Sequence, residues 1–572
     1  MSLETATFAI AQLNPMIGDL VGNCDRILAA VQKLAQQDIQ LVLTPELSIC
    51  GYPPRDLLMN HQFVRDIEIA IADLASKLPP DIAVLVGTVS RNPNADHAGG
   101  KPLFNSAALL QGGQVSQFFH KRLLPTYDVF DEDRYFEAGN GSQVFTLNLK
   151  GGSSLRVGVT ICEDIWNDEK FWGKRNYADD PVAEITQQKV DLLLNLSASP
   201  YAVGKQKLRE AMLSHRAIAH NLPLIYANQV GANDDLIFDG RSMAFDQHGE
   251  MIALGKSFEE DVLIIKLGKN SHRELSPEYE SDDAEIFAAL VLGVRDYVQK
   301  CRFRQVVIGL SGGIDSALVA AIATEAIGKE NVLGVLMPSP YSSEHSISDA
   351  IALAHNLGIS TQMIPIQPMM AAFDHSLATL FTGQASDVTE ENLQSRIRGS
   401  LLMAISNKFG HLLLSTGNKS EVSVGYCTLY GDMNGGLAAI ADVPKTRVFS
   451  ICEWLNRTSS KLSIKQEIKQ EISEVIPVNI ITKPPSAELK PDQFDQDSLP
   501  PYDILDDILQ KLINQHLSIA EIMATGHNQA IVERVVRLVK IAEFKRRQAA
   551  PGLKITDRAF GSGWRMPIAN FR

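Results

Sequence analysis

Gly309-Leu310-Ser311-Gly312-Gly313-Ile314-Asp315-Ser316 closes an apolar run and opens an amphipathic one. Glycines at such a junction let backbone approach a ligand closely and adopt turns barred to other residues. Backbone N–H groups at the start of the following helix, aided by its dipole, favour an anion. The Ser311 and Ser316 hydroxyls add donors, and Asp315 is placed to hold the Mg²⁺ that accompanies a nucleotide. A lone Gly-Gly would be a structural turn; the full Ser-Gly-Gly-x-Asp-Ser after a buried strand reads as a phosphate loop over Gly309–Ser316. No Gly-Lys-Ser/Thr follows, so it is not a Walker loop.

Outward from this loop, Gln305–Leu310 reads as a strand and Ser316–Ile327 as a helix. Ala284–Lys300 precedes them as a helix, and the strands Asn331–Met337 and Thr361–Ile366 follow. This βαβ succession predicts a parallel, doubly wound sheet. Thr382–Glu391, Gly425–Thr446 and Thr482–Tyr502 read as long loops of the kind that cover sites. Upstream, Gly268–Asp283 is polar, contains Pro277, shows no periodicity and reads as a linker.

The first half has its own pattern. Strands are expected at Phe8–Leu13, Leu41–Thr44, Val84–Val89, Leu155–Ile161, Leu192–Leu196 and Leu224–Ala227, with helices at Cys24–Gln36 and Lys205–His220. Hairpins are expected at Ser106–Phe119 and Met243–Leu254. The class is α/β with a mixed sheet. The division is therefore 1–267, a linker at 268–283, and 284–572.

The bulk properties narrow the function. A chain of 572 residues, 45% hydrophobic and 21% charged, is long enough for two substantial cores. A formal net charge of −14 argues against a nucleic-acid partner. Six scattered cysteines without a CxxC pair form neither a disulfide framework nor a zinc site. No run approaches the roughly 20 apolar residues of a membrane span. The expectation is a cytoplasmic protein without a membrane partner.

The phosphate loop resembles that of the N-type ATP pyrophosphatases, which include NAD, GMP, asparagine and argininosuccinate synthetases. The resemblance implies that ATP adenylates a substrate oxygen, pyrophosphate leaves, and a nucleophile displaces AMP. Glu391-Asn392-Leu393-Gln394-Ser395-Arg396-Ile397-Arg398 looks like the NAD synthetase segment that contacts the deamido dinucleotide. Ser415-Thr416-Gly417-Asn418-Lys419-Ser420-Glu421 looks like its ATP and metal turn. Gly431-Asp432, Pro444-Lys445-Thr446, Lys483–Leu489 and Phe544-Lys545-Arg546-Arg547 match further segments. The resemblance assigns Thr416 to ATP, Asn392, Arg396 and Lys545 to deamido-NAD⁺, and Glu421 to the metal or the dinucleotide. Leu429 departs from relatives that carry lysine there.

The other half has three reactive groups at the ends of apolar runs: Glu46 after Leu41–Pro45, Lys121 after Phe118–His120, and Cys162 after Val157–Ile161. Cleaving an amide needs a nucleophile, a base and positive charge at the oxyanion. Cys162, Glu46 and Lys121 would fill these places. Each alone is commonplace. Together, in this order, they resemble the nitrilase superfamily, and Pro45-Glu46-Leu47, His120–Pro125 and Ile161–Asp164 look like its glutaminase branch. Resemblance puts Tyr127, Ser199 and Lys205 at glutamine and aligns Glu132 with a second nitrilase glutamate.

The pair implies an α-β-β-α sandwich followed by a Rossmann-like ATP pyrophosphatase domain. Substrates would be deamido-NAD⁺, ATP with Mg²⁺ at Asp315 and Glu421, and L-glutamine, with ammonia passing sheltered between sites in a homo-oligomer. Two rivals stay open: a glutamine-fed ligase amidating another carboxylate, and an amidase regulated by a non-catalytic nucleotide sensor.

Overall fold

A computed structural model describes residues 6–141, 143–150, 152–267, 274–458, 474–491 and 493–569. The chain divides into two compact units, Met1–Glu278 and Tyr279–Arg572.

In the first unit, the described strands form two large sheets. One has the order Asp261–Lys266, Thr7–Gln12, Leu41–Leu43, Ala83–Arg91, Leu103–Gln111, Gln114–His120. The other runs Glu274–Leu275, Met251–Leu254, Met243–Phe245, Leu224–Asn228, Leu192–Ser197, Ser154–Ile161, Val144–Asn148. The sheets face each other through Phe8, Ile10, Leu43, Leu85 and Phe119 on one side and Val157, Val159, Leu194 and Ile225 on the other. The outer face of the first sheet packs Val42, Val84 and Val86 against the helices Leu20–Leu34 and His61–Lys77. That of the second packs Leu193, Tyr226 and Phe245 against Pro181–Gln187 and Lys205–His220. With both faces covered, central strands such as Leu41–Leu43 must be apolar throughout, as they are. The layering is α-β-β-α.

The six single strands expected from the sequence form with ends within two residues, but Val144–Asn148, Asp261–Lys266 and the pair Val230–Asn233 and Leu236–Asp239 were not expected. Helix Leu20–Leu34 starts earlier than its apolar stripe because Asp19 caps the Gly22 N–H. Of the expected linker, residues 268–273 lie outside the described residues, and Glu274–Leu275 is a short strand paired with Ala253–Leu254.

The second unit is built on a parallel sheet of order Ser360–Met363, Val332–Leu336, Val306–Gly309, Leu412–Ser415, Leu437–Ala438. Chain direction across the sheet reverses between Val306–Gly309 and Leu412–Ser415, which makes a switch point at their carboxyl ends. Helix Val388–Phe409 covers the face bearing Val307, Val335 and Leu413. Helices Asp282–Lys300, Ile314–Ile327 and Lys445–Arg457 pack together. A helical cluster of Tyr502–Leu509, Ile519–Ala524 and Gln529–Ile541 closes around Leu505, Ile508, Val535 and Val539. Among the described residues no helix is long and apolar enough to cross a membrane.

Candidate active sites

In the first unit the chain brings Glu46, Lys121 and Cys162 together where the two sheets end. Glu46 follows Leu41–Leu43 on a turn pressed against the neighbouring strand. Gly87 permits this, since a Cβ there would stand 2.2 Å from the Pro45 carbonyl. One Glu46 carboxylate oxygen accepts from Lys121 Nζ at 2.8 Å and from Asn105 Nδ2 at 2.7 Å. The other accepts from the Ala198 N–H at 3.0 Å, beyond the strand Leu192–Ser197 of the opposite sheet. Glu46 and Lys121 are both 0% exposed.

Glu132 completes the cluster. Its Oε1 accepts from Lys121 Nζ at 2.8 Å and from the Tyr52 hydroxyl at 3.0 Å, and Oε2 from Asn105 at 3.3 Å. Burial opposes the Lys121 charge, but Glu132 and Glu46 outweigh it and hold the ammonium well above its ordinary value. Burial pushes Glu132 up to about 7 against the pull of Lys121, with Glu46 adding repulsion. Asn105 and Tyr52 escaped sequence reasoning. The available signal was an amide inside the apolar run Leu103–Leu110; Tyr52 gave none.

Cys162 sits where the strand Ser154–Ile161 passes into the short 3₁₀ turn Cys162–Ile165, with φ at +44°. A left-handed conformation is costly for a residue with a Cβ and persists only when its surroundings impose it. Burial first, then Glu46 and Glu132, raise the thiol well above its usual value, while Lys121 opposes them. These charges therefore bear directly on the sulfur. That direction favours the thiol over the thiolate, so attack calls for a base to take its proton.

Of the expected glutamine contacts, the Tyr127 hydroxyl donates to Glu163 at 2.8 Å, as does Tyr177 at 3.2 Å. Lys205 Nζ reaches the Pro200 carbonyl at 2.9 Å and lies 6.0 Å from the centre of the Trp166 ring. Its charge is felt at Glu163. Ser199 is buried, with its N–H donated to Asn228 Oδ1 at 2.9 Å. Tyr127 and Lys205 thus border the Cys162 turn through Glu163 and Trp166, whereas Ser199 is tied to Asn228. Glu163 itself was missed: a charged residue next to the nucleophile reads as a solvated turn.

In the second unit a cleft of about 310 Å³ opens at the switch point, lined by Gly309–Ser316, Thr416, Glu421, Lys445 and the segment Lys483–Leu489. All expected ATP residues, Gly309, Leu310, Ser311, Gly312, Gly313, Ile314, Asp315, Ser316 and Thr416, face it. Gly312 has φ +76°, and a Cβ there would stand 2.2 Å from the Ser346 carbonyl oxygen, so no other residue fits this turn. The Ser316 hydroxyl donates to the Gly313 carbonyl at 3.0 Å and sits 3.2 Å from the Ser311 hydroxyl, which fixes the loop. The helix begins at Ile314, so its first N–H groups point into the cleft.

Asp315 accepts from Asn418 Nδ2 at 2.9 Å and from Lys445 Nζ at 2.5 Å, and Lys445 reaches Glu421 at 3.1 Å. Burial pushes Glu421 up to about 8, Lys445 opposing and Asp315 adding to the rise. Two carboxylates close enough to repel, at the mouth of a phosphate loop, are the hard oxygen donors a Mg²⁺–nucleotide uses. Among the described residues no three His, Cys, Asp or Glu groups form a complete metal cage. Nucleotide and water oxygens would have to complete the coordination.

The residues expected at the dinucleotide divide. Glu421 lines the cleft. Asn392 accepts from the Thr428 hydroxyl at 2.8 Å, Arg396 donates to the Leu429 carbonyl at 3.2 Å, and Lys545 Nζ donates to the Gly425 and Cys427 carbonyls at 2.8 and 2.7 Å. These three stand outside the described lining and hold the segment Gly425–Leu429 in place. Arg398, two residues beyond Arg396 and so on the other side of the helix, does line the cleft and donates to the Met337 carbonyl at 3.0 Å.

The comparisons agree with both halves. Residues 7–275 match the carbon-nitrogen hydrolase family and 286–549 the NAD synthase family. The chain is 56% identical to the glutamine-dependent NAD(+) synthetase of Synechocystis sp., covering 98% of each chain. It is 43% identical to that of Thermotoga maritima, again over 98% of each. A solved structure of the Acinetobacter baumannii glutamine-dependent NAD+ synthetase in complex with ADP is 41% identical, with 99% of this chain and 98% of that one covered and a TM-score of 0.75. With such identity along almost its full length, and with both chemistries in place, the chain belongs to the glutamine-dependent NAD(+) synthetases.

Proposed function

We propose that the first unit hydrolyses glutamine and the second uses the released ammonia, with ATP, to convert deamido-NAD⁺ to NAD⁺. The observation that carries this reading is the coexistence of a buried Cys-Glu-Lys cluster and a Ser-Gly-Gly-x-Asp-Ser phosphate cleft in one chain.

In the first unit, Cys162 sulfur attacks the side-chain carbonyl of glutamine as Glu46 takes the thiol proton. Lys121 is placed to stabilise the oxyanion as the tetrahedral species forms. Collapse expels ammonia, which receives the proton from Glu46, and leaves a thioester. Glu46 then deprotonates water, which attacks the thioester and releases glutamate and the thiol. Glu132 keeps Lys121 charged and aimed. Tyr127, Ser199 and Lys205 would bind the amino-acid end of the substrate.

In the second unit, the Gly309–Ser316 loop and Thr416 would seat ATP. The nicotinate carboxylate attacks the α-phosphorus, pyrophosphate leaves, and ammonia then displaces AMP and loses a proton to give the amide. Carboxylate is a poor electrophile and AMP a good leaving group, which is why ATP is consumed. Asp315 and Glu421 would hold Mg²⁺, which neutralises phosphate charge when bound. Dinucleotide contacts are proposed for Glu421 in the cleft and for Asn392, Arg396 and Lys545 around Gly425–Leu429. A cytoplasmic homo-oligomer acting on these small molecules fits the reading.

The test is an assay with ATP, Mg²⁺, glutamine and deamido-NAD⁺. The expected products are NAD⁺, AMP, pyrophosphate and glutamate in equal amounts. Glutamine and ATP consumed without turnover of deamido-NAD⁺ would favour another carboxylate, and ATP bound without pyrophosphate release would favour a sensor.

A further inference from the structure

Asp164 is a buried carboxylate that the chemistry above does not use. Its Oδ2 accepts the Ile161 N–H at 3.0 Å, immediately before Cys162. Its Oδ1 accepts the Arg122 and Leu123 N–H groups at 2.9 and 2.8 Å, immediately after Lys121. The side chain is 1% exposed. One carboxylate thus ties the residue before the nucleophile to the residues after the lysine, although Lys121 and Cys162 belong to separate segments of the chain. Burying a carboxylate is costly unless its lone pairs are filled, and three backbone N–H donors fill them here.

A second, independent observation is the backbone of Cys162. Its φ of +44° is a strained state for a residue with a Cβ. The hydrogen bond from Ile161 to Asp164 closes the turn across that residue, so relaxing Cys162 would require breaking it. Losing the bolt would free the sulfur to swing and the Lys121 segment to drift at the same time.

We propose that Asp164 is a positioning residue for the glutaminase reaction, locking the strained Cys162 turn and the Lys121 segment into one rigid unit. This rests on the reading that the first unit hydrolyses glutamine. Displacing reacting groups by about 1 Å costs on the order of 100-fold in rate. The loss falls on kcat when binding contacts are untouched.

The test uses the full-length chain with Asp164→Asn, whose amide retains one acceptor oxygen and loses the other, and Asp164→Glu, which keeps the carboxylate. Glutamine hydrolysis, NAD⁺ synthesis from ammonium chloride, and alkylation of Cys162 by iodoacetamide, followed by peptide mass spectrometry, are measured in each. Asp164→Asn should lose roughly 100-fold in kcat for glutamine with KM within about threefold. Cys162 alkylation should change in rate, ammonium-driven synthesis should stay at the wild-type level, and Asp164→Glu should recover part of the loss. Unchanged kcat, or a rise in KM alone, would overturn the proposal. So would loss of hydrogen-exchange protection across Ser154–Ile161 in both variants, since the role would then be structural. Alkylation reads the cysteine without substrate. A wild-type chain that fails to hydrolyse glutamine would therefore sink the function, while the alkylation result still reports on Asp164.

Discussion

Lys121 and Lys445 do similar electrostatic work in different surroundings. Each bridges two carboxylates, Glu46 and Glu132 in one case and Asp315 and Glu421 in the other. The Lys121 cluster is sealed, and its charges bear on a cysteine of the same chain. The Lys445 cluster forms the wall of a cleft, with both carboxylates partly open to it. A sealed cluster holds its charges around its own nucleophile. An open one keeps its carboxylates paired with an internal cation yet accessible from the cleft. The first should fail sharply when any member is removed, and the second should fail through its ligand.

The largest effect should come from Lys121→Met. It takes away the cation proposed for the oxyanion and leaves two facing buried carboxylates, so glutamine hydrolysis should fall by about 10³-fold or more. Breaking a buried ion pair from one side costs about 3–5 kcal/mol, so the melt of the first unit should also shift down. Measured turnover within tenfold of wild type would dissolve the distinction between the two clusters.

Asp315→Asn should lower pyrophosphate release by about 100-fold, equally with glutamine or ammonium as nitrogen source. AMP formation at the wild-type rate would remove Asp315 from the site. Glu421→Gln should act in the same direction but by only about tenfold if it is one of several charges at the phosphates. Raising Mg²⁺ should recover part of that loss.

A smaller effect concerns pH. Burial raises Glu132 from 4.5 to about 7 in the folded chain. The folded state then holds its proton more tightly than the unfolded state. The resulting stability is complete below about pH 4.5 and is lost as pH rises through about 7. Glu132→Gln carries no such charge. The melting temperature of the first unit should therefore fall less in the variant than in wild type between about pH 5 and 8. Parallel curves would show that Glu132 does not titrate there.

Much of this was legible in the sequence where chemistry and local structure coincide. The run Val306–Gly309 followed by Ser311–Ser316 specified strand, turn and helix at once, because glycine, hydroxyl and apolar residues each admit few alternatives. Apart from the nitrilase resemblance, Glu46, Lys121 and Cys162 were visible as ends of apolar runs; that they converge depends on two sheets meeting face to face, which no local signal encodes. Glu163 and Asp164 stood only as flanking residues, yet each also has a partner more than 35 positions away, Tyr127 for Glu163 and Arg122 for Asp164. Arg396 and Lys545 were legible only through resemblance, because the main-chain carbonyls of Gly425–Leu429 to which both donate belong to a distant segment. The strand Leu412–Ser415 was missed because it follows helix Val388–Phe409 almost directly and carries only three leucines as its signature.

The most direct test of two separate chemistries is Cys162→Ala, assayed for NAD⁺ formation with glutamine and, in the same preparation, with ammonium chloride. Alanine removes the Cys162 sulfur and leaves the charges around it. The account predicts that glutamine-driven synthesis is abolished while ammonium-driven synthesis stays near the wild-type rate. A folded variant that lost both activities, or kept both, would contradict it.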